Sequence, residues 1–291
     1  PQYKQSLRQI EMCMRVLVTG GSGYVGSHAV RELVEAGHEV VIYDNLSTGN
    51  RRLSEGYEFV NGDIADGVCL APLLSRVDAV MHFAASAYVG ESTKEPRKYF
   101  RNNVESALKL MDAVLASQVR TFVFSSTCAT FGNPVRVPID ETHPQAPVTP
   151  SSESPLLHTP MLRWYGEIHG TRWMALRYFN AAGADPEGEI GEDHDPETHL
   201  IPLVIGAVQG LRPAVQVFGT DYPTPDGTAV RDYVHVADLA DAALPPLDAI
   251  GRRTPSQAVN LGTGHAHSVR AVIDTVPRVS GNDAVSGQGI L

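Results

Sequence analysis

The stretch VLVTGGSGYVGSH, residues 16–28, decides how this chain folds. Four residues of strand-like character run straight into a turn with glycines at 20, 23 and 26, and an amphipathic segment follows to about Gly37. In that context each glycine has a separate reason. Gly20 permits the tight turn, Gly23 lets the backbone approach a pyrophosphate, and Gly26 lets helix and strand pack closely, with the anion resting on the helix N-terminus. Asp44 then ends the next apolar run, EVVIYD, 18 residues beyond Gly26. An acid there hydrogen-bonds an adenosine ribose 2′-hydroxyl and repels a 2′-phosphate, which selects NAD over NADP.

Working outward, strand-like runs alternate with helical ones: RVLVTG, EVVIYD, YEFVNGD, AVMHFAA, a helix over 97–116, TFVFSST and WMALRYFN. That order predicts an α/β fold, a Rossmann-type doubly wound parallel sheet with crossover helices. Past residue 180 the chain becomes rich in Pro, Gly and Asp, so the expected division is a leader or tag remnant over 1–13, an NAD-binding domain over 14–180 and a smaller substrate-binding lobe over 181–291. That lobe is expected to hold short strands at VQVFG and 230–236, a helix near 237–249 and a frayed tail, SGNDAVSGQGIL.

The bulk numbers remove other classes. Thirty-three acids against 23 bases give a net charge of −10, which speaks against a nucleic-acid surface, and no apolar run approaches a membrane span. Cys13, Cys69 and Cys128 show neither metal spacing nor an even disulfide set, which fits a reducing cytoplasm. Asp193, His194, Asp195, Glu197 and His199 lie close in sequence, and the expectation is a solvated loop with no metal.

Further blocks carry a resemblance. GDI at 62–64, HFAASAYVGES at 82–92, NNV at 102–104, FSSTCATFG at 124–132, RYFNAAGADPEGEIGE at 177–192, HLIP at 199–202 and VFGTDYPTPDGTAVRDYVHVADLADA at 217–242 resemble the UDP-glucose 4-epimerase family of extended short-chain dehydrogenase/reductases. The likeness runs from Met14 to about Val276. It implies that Tyr24, Val25, Asp44, Asn45, Leu46, Asp63, Ile64, Phe83, Ala84, Ala85, Asn102 and Phe179 line an NAD groove. It further implies that Asn180, Leu200, Phe218 and Arg231 hold a UDP-hexose, with Thr127 as the hydroxyl that steadies the reacting sugar oxygen. The reaction implied is reversible inversion at C4: a base takes the 4-hydroxyl proton, hydride passes to NAD, and hydride returns to the other face of the 4-keto sugar. A homodimer through helices 97–116 and 160–170 is implied as well.

The resemblance breaks at the proton-transfer pair. The family's Tyr-Gly-x-Ser-Lys falls on Ser151-Ser152-Glu153-Ser154-Pro155, so Ser151 and Pro155 occupy the Tyr and Lys positions. None of the lysines, at 4, 94, 98 and 109, has a tyrosine four residues before it, and Tyr165 with His169 is read as packing rather than as a replacement pair. Because interior proline removes an amide and clashes with the preceding turn, residues 149–158 are expected to be loop, with a helix starting at Thr159-Pro160 and ending near Gly170. Pro245-Pro246 and Pro277 likewise fall inside helically patterned segments, and the chain stops before the family's Arg-Gly-Asp-like block, leaving the nucleotide site half open. Short divergent windows between good matches are also what compensating frame errors produce, which peptide mass spectrometry over 145–163 tests. Three readings follow: an NAD-dependent epimerase impaired in turnover, an NAD-binding pseudoenzyme or scaffold, and a related sugar-nucleotide dehydratase.

Overall fold

Residues 15–19 and 39–44 alternate their side chains between two buried faces, and this alternation builds the main sheet from its centre. A computed structural model describes residues 13–212, 215–245, 247 and 255–281. The central strand β1 (Arg15–Thr19) pairs in parallel with β2 (Glu39–Asp44) on one side and β4 (Ala79–His82) on the other. β3 (Glu58–Asn61) extends the β2 edge; β5 (Thr121–Thr127), β6 (Arg172–Tyr178) and β9 (Gln257–Leu261) extend the other, giving the order β3-β2-β1-β4-β5-β6-β9, all parallel. The expected doubly wound sheet is what forms.

Alternate residues feed two cores. Leu17, Val41, Tyr43, Val80, Phe122 and Phe124 face α2 (Gly67–Leu74), α5 (Ala107–Ala116) and α6 (Pro150–His169). Val16, Val18, Ile42, Met81, Val123 and Met174 face α1 (Tyr24–Glu35) and the segment ending α8 (Val236–Ala243), and α1 packs directly on α8. The expected helix over 97–116 is composite. α4 (Pro96–Tyr99) follows the short α3 (Val89–Ser92) and runs into a π-helical turn over Phe100–Ser106, then α5. The extra residue in that turn is a geometry frequent at functional sites.

Residues beyond 180 contribute to both sheets. A three-stranded sheet of β10 (Ala266–Ser268), β8 (Val230–His235) and β7 (Asn180–Ala182) does form a smaller unit, backed by α7 (Leu200–Val208) and α9 (Val269–Ser280) through Val204, Val208 and Ile273. Yet β9 and α8 return to the main sheet, because the parallel edge of β6 and the apolar face of α1 both need covering. No strand element forms over 215–219, and α8 stops at Ala243, with Pro245 and Leu247 helical again after a break at Leu244. Residues 1–12 and 282–291, which hold most of the expected leader and tail, lie outside the described residues.

The start of α6 corrects the expected loop over 149–158. Thr149 caps the helix as a capping box: its Oγ1 accepts from the Ser152 amide at 3.3 Å and the Ser152 Oγ accepts from the Thr149 amide at 3.1 Å. Pro150 takes the first helical position, where its missing amide costs nothing. Pro155 and Pro160 then sit inside the helix, leaving the carbonyls of Ser151 and Leu156 without their usual donors. Tertiary contacts override the propensity: Ser154, His158 and Leu162 are buried, and the Ser154 hydroxyl accepts from Asn103 Nδ2 at 3.1 Å. The end near Gly170 is as expected, with Gly170 left-handed at φ 71°. Pro277 is likewise accommodated within α9.

Candidate active site

Asp44 and Thr127 end their strands and Phe83 and Phe179 directly follow theirs, so these candidates stand at the carboxyl edge of the main sheet, whose strand order reverses between β1 and β4. The turn after β1 has the conformation its glycines predict. Gly20 adopts φ +76°, and a Cβ there would collide with the backbone of Phe83 and Ala84; one on Gly26 would overlap the Gly20 carbonyl. On Gly23 the only neighbour within 4 Å would be the Gly20 oxygen at 3.3 Å, so this flank of the turn is open. Gly23 caps α1 with no side-chain hydrogen bond, and the buried Ser22 hydroxyl has no partner. An uncapped helix N-terminus beside an orphaned hydroxyl fits a diphosphate.

Asp44 accepts from the Ser22 amide at 3.0 Å and from the Leu46 amide at 2.8 Å, locking the end of β2 to the glycine turn. Burial pushes its carboxyl up from the ordinary value, opposed by those two amides. Leu46, at φ 57°, is the single left-handed non-glycine among the described residues, held by that hydrogen bond. Asn45 donates to Asp63 at 3.1 Å, and Ile64 is buried beneath. Phe83, Ala84 and Ala85 follow β4 directly, and Asn102 in the π turn donates to the Ser86 hydroxyl at 3.1 Å. Asn103, which the NNV block contains but sequence reasoning passed over, does more of the fastening. It holds Ser86 through both main-chain atoms, at 2.8 and 2.9 Å, and Ser154 of α6.

Thr127 ends β5, and its Oγ1 accepts from the Ala129 amide at 3.1 Å, capping the short turn that follows. Ser151 lies in the first turn of α6, and Pro155 lies one turn on along the same face. The Ser151 hydroxyl is engaged by Ser92 Oγ at 3.2 Å and Thr149 Oγ1 at 3.1 Å. Tyr165 and His169 sit at the other end of the same helix; Ser151 and Tyr165 are roughly 21 Å apart at 1.5 Å per residue, and Tyr165 donates to Asp112 at 3.3 Å. That pair has no access to the crevice. Phe179 and Asn180 continue β6 into β7, and Leu200 opens α7. Phe218 is not brought into the crevice: its side chain is 82% exposed. Arg231 on β8 is exposed and spends one donor on the Val230 carbonyl at 2.7 Å.

The loop between β7 and α7 is laid across the cradle. Tyr24 donates to the Gly183 carbonyl at 2.6 Å, Asn50 donates to Asp193 at 2.9 Å, and Arg31 pairs with Asp185 at 3.0 Å. Within it Glu192, His194, Glu197 and His199 converge. His199 Nδ1 lies 2.7 Å from Glu192 and 3.0 Å from Glu197, and His194 Nδ1 lies 3.2 Å from Glu192. Burial alone would raise the Glu192 carboxyl, but the two imidazoles hold it down at about 2, while His199 is raised by the Glu192 hydrogen bond against its own burial. Sequence reasoning missed Glu192, which stands just outside the run of polar residues it weighed. Only the folded loop brings it in and sends Asp193 away to Asn50.

Two histidines are buried between cradle and α6. His82 Nδ1 shares a 2.7 Å hydrogen bond with Thr19, and burial holds its imidazole down at about 3. His158 of α6 lies across Phe124, its ring 4.6 Å from the Phe124 ring, with both nitrogens unpartnered; burial lowers it too.

Comparison with known proteins bears on the whole arrangement. The family model described as the NAD dependent epimerase/dehydratase family matches residues 16–262. The UDP-glucose 4-epimerase of Rhizobium meliloti is 48% identical over 267 residues, covering 91% of this chain and 81% of that protein. That of Lacticaseibacillus casei is 44% identical over 279 residues, covering 95% and 84%. The crystal structure of UDP-glucose 4-epimerase from Brucella ovis in complex with NAD superposes with a TM-score of 0.91 at 44% identity, over 96% of this chain and 85% of that one. The enzyme from Bifidobacterium longum in complex with NAD+ and UDP gives 0.86 at 33% identity, over 95% and 85%. With sheet order, glycine turn and sequence in agreement over nearly its whole length, the chain belongs to the NAD dependent epimerase/dehydratase family, among its UDP-glucose 4-epimerases.

Proposed function

We propose that this chain holds NAD and a UDP-hexose as a UDP-glucose 4-epimerase does, and that proton transfer at the sugar is impaired because Ser151 and Pro155 occupy the positions of the acid–base pair. The observation that carries this is the start of α6. Its backbone keeps the i, i+4 register, but the side chains on it are a hydroxyl already engaged by Ser92 and Thr149 and a proline ring without a charge. Bound at the glycine turn, NAD would supply the reversible hydride acceptor for C4 of the hexose. The chain's own groups would do the rest. Asp44 accepts from the adenosine ribose, the first-turn amides of α1 take the diphosphate, and Asp63 accepts from the adenine amine. Asn180 and Arg231 donate to the substrate's phosphates, with Leu200 against the nucleotide, and Thr127 donates to the sugar oxygen. A serine hydroxyl is a far weaker acid than a phenol and too short to span the same gap; losing general base catalysis costs roughly 10²–10⁴ in rate.

The discriminating experiment measures two quantities on one preparation: cofactor released per chain on denaturation, and conversion of UDP-galactose to UDP-glucose. Near-stoichiometric NAD with turnover at least about 100-fold below that of a chain carrying Tyr and Lys is the expected result. Turnover by this sequence at an undiminished rate would remove the impairment, and an empty chain indifferent to added NAD would remove the cofactor reading. A second copy docking through α5 and α6 is supported by the exposed Leu108, Leu157, Trp164 and Ile168, and light scattering at micromolar concentration reads it. Cys13, Cys69 and Cys128 are all free, which suits the reducing cytoplasm, and among the described residues no helix is long and apolar enough to cross a membrane.

A further inference from the structure

We infer that Glu192, His194, Glu197 and His199 form a structural site for a divalent transition metal of the zinc type, clasping the β7–α7 loop over the dinucleotide cradle. The geometry is the first reason. One donor atom from each of the four lies within 4.8 Å of all the others, and the close approaches are 2.7, 3.0, 3.2 and 3.8 Å. A tetrahedral ion with bonds of about 2.0–2.1 Å has ligand–ligand edges of about 3.3–3.4 Å, a length these approaches bracket. A pure hydrogen-bond network has no need to bring two imidazole Nδ1 atoms and two carboxylates to one point.

The second reason is an unmet polar atom inside the cluster. His194 Nδ1 is buried and makes no hydrogen bond, although Glu192 is 3.2 Å away. A shared ion would satisfy it. Two carboxylates with two neutral imidazoles also balance a divalent charge, and the mixed nitrogen and oxygen donor set suits zinc and its first-row neighbours. Four protein ligands leave no open position, so the role is structural rather than catalytic.

What the ion would hold is set by the neighbours. The His194 ring stands edge-on to Tyr24 of the glycine turn and to Tyr88 after β4, at 6.3 and 6.0 Å. Fixing His194 and His199 therefore fixes the roof of the cradle. Nothing in this requires turnover or the missing acid–base pair.

The test uses the full chain without an affinity tag, stripped with chelator and titrated separately with Co2+ and Zn2+. One equivalent of Co2+ giving the intense visible bands of a tetrahedral nitrogen–oxygen site is expected. Zn2+ should displace it and raise the melting temperature. His194→Ala and the shape-conserving Glu192→Gln should each weaken Co2+ binding by at least tenfold, while Asp193→Asn and Asp195→Asn leave it unchanged. Uptake below a tenth of an equivalent, weak octahedral bands, or equal binding by the His194→Ala chain would each overturn the site. Because the wild-type spectrum is itself a readout, a variant that fails to fold does not rescue the idea.

Discussion

The glycine turn after β1 and the first turn of α6 face the same crevice and have fared differently. In the glycine turn, backbone and function coincide: Gly20 and Gly26 lack a Cβ because the neighbouring main chain occupies that volume. There the fold and the binding site are one object, and neither changes without the other. At α6 they separate. Thr149, Pro150 and Ser152 make a helix start that is good regardless of what stands at 151 and 155, so the backbone there does not depend on the side chains at those two positions. A helix frame preserves the position of a group without preserving its chemistry.

The largest test of that contrast restores the chemistry. Ser151→Tyr with Pro155→Lys, placed on an existing helix, should raise the UDP-galactose conversion rate by about 10²–10⁴; no gain with NAD still bound would mean that the crevice, too, has changed. Next comes the frame. Pro155→Ala alone returns an amide to the Ser151 carbonyl and should stabilise the fold by up to about 3 kcal/mol in thermal unfolding, with no change in activity. A drop in stability would mean that the ring packs better than the helix loses. In the cradle the same kind of small change should do the opposite. Gly26→Ala forces a methyl against the Gly20 carbonyl and should cost about 1–3 kcal/mol, together with loss of retained NAD on gel filtration.

The smallest effect tests the packing between the two regions through pH. His82 is held neutral by burial, its folded value near 3 against 6.5 when free. The unfolded chain therefore takes the proton first, so this contribution is intact above about pH 6.5 and is lost as pH falls from there towards 3. Between pH 7 and 5 the loss is about 2 kcal/mol, and His158, lowered in the same direction, adds to it. His82→Asn should flatten the melting temperature across that window. An unchanged slope would mean that another group carries the acid sensitivity.

Much of this was legible before folding. The continuous apolar runs RVLVT and EVVIYD, buried on both faces, the glycine spacing and Asp44 together specify the sheet centre and the cradle, because each is set by residue type over a few consecutive positions. The absence of the Tyr–Lys pair was equally plain, since the identities at 151 and 155 are the evidence. The continuation of α6 through two prolines was not legible. Its stability comes from Ser154, His158 and Leu162 packing against strands and a π turn distant in sequence, contacts no local rule contains. The return of β9 to pair with β6 was not legible for the same reason, as composition cannot report it.

The sequence alone thus determined the parallel sheet, the dinucleotide turn and the serine and proline at 151 and 155, all of which are set by residue type and short spacing. Only the tertiary structure decided that 151 and 155 still share a helical face, that Asn103 rather than Asn102 ties the crevice together, and that Glu192 joins His194, Glu197 and His199 while Asp193 turns away. Those outcomes depend on which distant surfaces bury one another, and burial is a property of the whole chain.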